Sequence, residues 1–236
     1  MFAFIQSFPL FLIFFGLFSS IQTISYHKIK DTRLAKLVWQ LPSHILCAIV
    51  GLILIEDLSV AQLSTPNFNP QMIKPYCFYY AYWFAVIVDF YKHRNLKDID
   101  HNMMLFHHIA TLFALLSSDY LGYKKVGLHV LMLHDCSDVW IMILKLFSKL
   151  KVSEAGMIWA YLMTMFVWLY TRVYLFVYIL CFCKLVTHLQ TNPGPYDLIP
   201  SSMLFVLCIC NLVWTFMLLK LPFSKKIVET YEQTQD

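Results

Sequence analysis

The chain has 236 residues, 59% hydrophobic and 14% charged, with a formal net charge of +4 and a mean hydropathy of +0.62. Soluble domains carry about a quarter charged residues, so this composition excludes an ordinary soluble protein. Six glycines leave no Gly-rich nucleotide loop, and no basic stripe with interleaved aromatics marks a nucleic-acid surface.

The apolar residues come in runs near the length of a membrane-spanning helix, about 20 residues. In chain order the expected spans are 2–23, 37–58, 75–91, 102–118, 126–147, 156–185 and 198–221. The first reads as a retained anchor rather than a cleaved signal peptide. It lacks a basic leading segment, Pro9 lies within it, and its apolar run exceeds the usual signal core of about 7–15 residues. The third and fourth spans are short; the sixth is long enough to tilt or to leave the bilayer. Loops are marked by Ser64-Thr65-Pro66-Asn67 with Asn69-Pro70, and by Thr191-Asn192-Pro193-Gly194-Pro195. The fold class is therefore all-α integral membrane with seven transmembrane helices. Its divisions are 1–32 as anchor helix and cytosolic loop, 33–221 as the main domain, and 222–236 as a tail.

Lys and Arg are retained on the cytosolic side of a membrane. With seven spans, 13 of the 18 basic residues fall on the side of the loops after spans one, three and five and of the C-terminal tail. Lys74, Lys124, Lys125 and Lys184 fall on the other side, and Arg172 lies inside span six. The tail is thus expected in the cytosol and the N-terminus in the lumen or outside. The seven cysteines lie in or at the start of apolar spans without zinc-loop spacing, and read as packing residues.

Ionisable residues at membrane depth cost about 2.5–3.5 kcal/mol each on insertion scales, and commonly mark function. Span four holds His107 and His108, and span five holds His134, Asp135 and Asp138. Span six holds Arg172, and span seven holds Asn211 and Trp214. Helical periodicity puts Asp138 on one face with His134 and with Asp135. With a rise of about 1.5 Å per residue, His107 lies about 9 Å and Asp138 about 14 Å from the cytosolic ends of their spans. The histidines and aspartates therefore share a slab in the cytosolic half of the membrane. His129 reads as structural, and His93 and His101 as solvated edge residues.

Imidazole is a nucleophile and a general base near neutral pH. A carboxylate beside it stabilises imidazolium as it forms, so acyl transfer through an acyl-imidazole suits this set. A zinc or iron site is the rival reading, but the aspartate pair lacks a histidine-rich shell, and the expectation is no metal and no cofactor. A proton-coupled transporter would need Gly- or Pro-broken helices in paired halves, and spans four to seven have no proline beyond Pro200 at the start of the last.

The stretch from Asp100 to Leu146, DHNMMLFHHIATLFALLSSDYLGYKKVGLHVLMLHDCSDVWIMILKL, resembles the signature region of the TLC-domain ceramide synthases. The matching features are Asp100 seven residues before His107-His108, the step Lys125-Val126-Gly127, and Leu133-His134-Asp135 with Asp138. The similarity continues to Thr171-Arg172, Gly194-Pro195-Tyr196, and Asn211 with Trp214. It runs from about Arg33 to Lys220, with Met103 where the family usually has an acidic residue. The resemblance implies seven helices, six of them forming the TLC-type bundle, in an endoplasmic-reticulum enzyme. Such an enzyme joins a fatty acyl group from acyl-CoA to the amine of a sphingoid base; the partners expected are these two substrates and membrane lipids, with a homo- or hetero-oligomer compatible with the sequence. It further implies that one of His107 and His108 accepts the acyl group, with His134, Asp135 and Asp138 in support. Arg172, Asn211 and Trp214, with Lys92, Arg94 and Lys97 at the cytosolic rim, are the expected substrate-binding residues. A non-catalytic lipid-binding or membrane-composition regulator is the alternative role for the same fold.

Overall fold

Backbone N–H and C=O groups in hydrocarbon must be satisfied within their own segment, and helices do this. The computed structural model describes residues 3–54, 72–93, 99–179 and 198–220, and is helical with no strand among them. After a short turn at Ala3–Gln6 come α1 (Phe8–Lys28), α2 (Thr32–Leu54), α3 (Ile73–Lys92) and α4 (Ile99–Tyr120). These are followed by α5 (Lys124–Lys149), α6 (Glu154–Trp168) and α7 (Leu198–Lys220). A π-helical turn, Leu169–Leu175, and then Phe176–Tyr178 extend α6 without a break into a rod of 25 residues. The end expected near residue 185 lies outside the described residues, as do the loop signals at 64–70 and 191–195.

Local chemistry explains several boundaries. Pro9 does not interrupt a span: it occupies the first turn of α1, where a missing N–H goes unnoticed. The Asp31 carboxylate accepts hydrogen bonds from the N–H groups of Arg33 (3.0 Å) and Leu34 (3.1 Å), satisfying two orphan donors at the start of α2. Ser153 Oγ accepts from the Gly156 N–H at 3.4 Å in the same role for α6. The third and fourth helices, 20 and 22 residues long, extend beyond the short apolar runs they contain. Their ends are polar, and helical hydrogen bonding continues through them.

By length and composition, α1, α2, α6 with its extension, and α7 are apolar enough to cross a membrane. Ile13, Ile53, Phe113, Phe166, Phe205 and Phe216 are each at least 60% exposed, the expected state for side chains facing lipid. In the bundle α2 lies against α5, α5 against α6, and α6 with its π turn against α7. The circuit continues with α7 against α4, α4 against α3 and α3 against α2; α1 packs outside this circuit, against α3 and α2. One side of the core is aromatic, with Tyr76, Tyr79, Tyr80, Tyr82 and Trp83 of α3 all buried. The other joins α4, α5, α6 and α7 through smaller groups such as Ala110, Val130, Leu133 and Leu207.

Gly127 is required by close packing: a Cβ there would collide with Tyr76 Oη and stand 2.5 Å from Ser118 Oγ. Lys124, which ran against the charge bias, is buried and paired. Its Nζ lies 2.7 Å from Asp119 Oδ1, and Tyr80 Oη donates to Asp119 Oδ2 at 2.9 Å. It acts as a core cation rather than a loop charge. Cys47, Cys77, Cys136, Cys208 and Cys210 are free thiols within the bundle.

Candidate active site

Three imidazoles from two helices meet in the bundle. His107 on α4 lies nearly parallel to His134 on α5, with ring centroids 5.7 Å apart and planes 19° apart. His108 is 5.7 Å from His107 and turned by 54°. Successive helical residues diverge by about 100°, so His108 faces α3 instead, against Trp83 (5.1 Å) and Phe90 (4.6 Å). Trp214 of α7 meets His107 edge-on at 4.7 Å. His134 Nδ1 lies 2.7 Å from the Val130 carbonyl, which can only accept, so Nδ1 carries the proton and Nε2 keeps its lone pair. His134 Nε2 and the Nδ1 atoms of His107 and His108 are buried, with no hydrogen-bond partner among the described residues. Buried polar atoms are ordinarily satisfied. Three unsatisfied ring nitrogens gathered in one place make this cluster the candidate site.

Around these rings runs an ionic lattice centred on Arg172, which the π turn presents inward. Single π turns inside helices are frequent at functional sites. Arg172 donates to Asp138 Oδ1 (2.5 Å), Ser137 Oγ (2.6 Å), Asn211 Oδ1 (3.2 Å) and the His134 carbonyl (3.2 Å). Its guanidinium also stacks over Trp168 at 4.7 Å, and Trp168 Nε1 donates to Thr215 at 2.9 Å. Of the two carboxylates on this part of α5, Asp138 forms the ion pair with Arg172.

Asp135 has a different partner. Its Oδ1 lies 2.9 Å from His44 Nδ1, and Tyr82 Oη lies 3.0 Å from His44 Nε2. His44 and Tyr82 were not expected at the site. His44 is an ionisable residue inside an apolar span, and the rule that singled out the other histidines applies to it equally. It lies two residues after Pro42, inside α2. The described contacts therefore join Asp135 to His44 and Asp138 to Arg172, rather than either carboxylate to His107 or His108.

His107, His108, His134, Asp138, Arg172, Asn211 and Trp214 thus come together, with Asp135 beside them through His44. Lys92 lies exposed at the end of α3, away from these contacts. Arg94 and Lys97 fall outside the described residues. Lys36 of α2 is a basic group nearer the rings: its Nζ sits 3.9 Å over Phe90, the ring that also touches His108. Two cavities adjoin the site. One of about 330 Å³ opens between α4 and α7 and is lined by Asn102, Met103, Phe106, Cys210 and Trp214. The other, of about 20 Å³, is a narrow apolar slot lined by Thr111, Val130 and Leu207 among others, one turn beyond His107.

The model of the TLC domain matches residues 32–220. Human ceramide synthase 1 is 31% identical over 126 residues, which cover 49% of this chain and 35% of that protein. The aligned part is thus about a third of the length of the curated relative. The family match covers well over half the chain and spans every helix that carries a site residue. This is a membrane protein of the TLC-domain family, with similarity to a ceramide synthase.

Proposed function

We propose that the protein transfers a fatty acyl group from acyl-CoA to the amine of a sphingoid base. The observation that carries this reading is the cluster of three imidazoles with buried, unbonded ring nitrogens. It lies inside the family's domain, in a chain similar to a ceramide synthase. His107 or His108 attacks the thioester carbonyl; a C–N bond forms, the C–S bond breaks, and CoA leaves as the thiol after taking up the imidazole proton. The amine then attacks the acyl-imidazole, the amide forms, and the imidazole is released. His134, whose ring lies beside that of His107 and whose Nε2 is unbonded, takes up and returns that proton. Asp138 acts through Arg172, whose guanidinium also holds the carbonyl of His134. Trp214 and Asn211 fix His107 and Arg172 from α7.

In this reading all seven helices cross the endoplasmic-reticulum membrane, with the N-terminus lumenal and the tail cytosolic. Lys92, Arg94 and Lys97, with Lys36, draw the polyanionic CoA to the cytosolic rim, while the acyl chain enters between helices. Purified protein incubated with labelled acyl-CoA and long-chain bases should yield labelled N-acyl product. Binding of both lipids without product would support the alternative of a non-catalytic lipid sensor.

A further inference from the structure

We infer that Asp135 and Asp138, with Asp135 oriented by His44, form a binding site for a primary ammonium group, the charged end of the long-chain amine. A nitrogen of His44 and one oxygen from each carboxylate lie within 4.8 Å of one another. His44 Nδ1 lies 2.9 Å from Asp135 Oδ1 and its Nε2 lies 3.0 Å from Tyr82 Oη, so both ring nitrogens are occupied by hydrogen bonds. Asp135 is fully buried, yet its Oδ2 has no partner among the described residues. Asp138 shares its charge with Arg172 and keeps 21% of its side chain exposed.

Two carboxylates lie beside the Arg172 guanidinium, and the buried Asp135 oxygen lacks the donor that buried acceptors ordinarily have. A group with N–H donors completes the set, and an alkylammonium supplies donors together with the positive charge that strengthens hydrogen bonds to carboxylates. A divalent cation fits less well, because it would have to displace a hydrogen bond of His44 to use that ring as a ligand. The inference rests on the acyltransferase reading only for the identity of the amine. His44 is a positioning residue, acting through Asp135. Once bound, the ammonium must lose a proton to become nucleophilic, and the unpaired Asp135 oxygen is the acceptor at hand.

The test uses the full chain in lipid nanodiscs and equilibrium binding of tritiated sphinganine without acyl-CoA. The uncharged N-acetyl derivative, of similar apolar length, serves as comparator. Sphinganine should bind at least about tenfold more tightly than the N-acetyl compound. Asp135→Asn should abolish that preference while leaving N-acetyl binding, and hence the fold, intact. His44→Leu should do the same, and His44→Gln, which retains an N–H donor, should restore most of the preference. Equal binding of both compounds, or an unchanged preference in Asp135→Asn, would overturn the inference. So would one zinc ion per chain, found by equilibrium dialysis and lost in both Asp135→Asn and His44→Gln. Formation of an acyl adduct from acyl-CoA alone reports on the acyltransferase reading separately. An adduct without charge-dependent binding sinks this inference only, and charge-dependent binding without an adduct sinks that reading only.

Discussion

His107 and His108 are neighbours in sequence and differ sharply in surroundings: one faces His134 and Trp214, the other Trp83 and Phe90. Replacing either by Ala is expected to abolish N-acylation while leaving a folded protein, measured as product formed by a monodisperse sample. Wild-type rates in either variant would remove that residue from the chemistry. Asp135→Asn and Asp138→Asn should each slow turnover, at least one by about two orders of magnitude, the scale of a positioned acid–base group. Retention of more than about half the activity by both would make the carboxylates structural. Arg172→Leu strips Asp138 of its partner inside the bundle, and losing one member of a buried pair costs about 3–5 kcal/mol. A thermal-melting comparison in detergent should show a clear loss of stability, and unchanged melting would contradict the lattice described above. At this scale the sequence was informative about residue type and depth, since an ionisable group in an apolar span stands out wherever it occurs. Pairing was not legible. Asp135 reaches His44, 91 positions earlier in the chain, and no local spacing encodes a contact between α2 and α5.

At the scale of elements, the helix starts show which parts of the prediction failed and why. Among the described residues each apolar run falls on one of α1–α7, and α3 and α4 extend beyond theirs, because hydropathy ends where polar side chains begin whereas helical hydrogen bonding does not. Pro9, read as lying inside a span, begins α1, as its missing N–H favours. The π turn that aims Arg172 inward carries no composition signal and depends on packing against α5 and α7. Two element-level expectations follow. Gly127→Ala should lower the melting temperature, because the new Cβ meets Tyr76 and Ser118 where α4, α3 and α5 converge; an unchanged temperature would show that these side chains yield freely. At the start of α2, Lys149, 2.7 Å away, and the Leu34 and Arg33 N–H groups hold the Asp31 carboxyl below its ordinary value of 3.8. A lowered carboxyl pKa stabilises the fold at pH values above the unfolded value, and the contribution is lost as pH falls through the folded one. Both side chains are more than a third exposed, so the effect is small. Asp31→Asn should therefore melt slightly below wild type from neutral pH down to about 4, with the difference closing only in stronger acid.

At the scale of the whole molecule, the apolar and the polar helices contribute different surfaces. The apolar α1, α2, α6 and α7 offer large exposed side chains to lipid, while α3, α4 and α5 contribute the aromatic wall, the imidazoles and the carboxylates. In the acyltransferase reading, the unbonded ring nitrogens keep a lone pair for attack on the thioester, which a hydrogen bond would occupy. Intact-protein mass spectrometry after incubation with acyl-CoA, in the absence of any amine, tests this most directly. Wild-type protein should gain the mass of one acyl group and lose it when sphingoid base is added, while the His107→Ala/His108→Ala double variant stays unmodified. A folded, active enzyme that never carries the adduct, with kinetics requiring both substrates bound together, would contradict covalent catalysis. The imidazoles would then act only as bases for direct attack of the amine on the thioester.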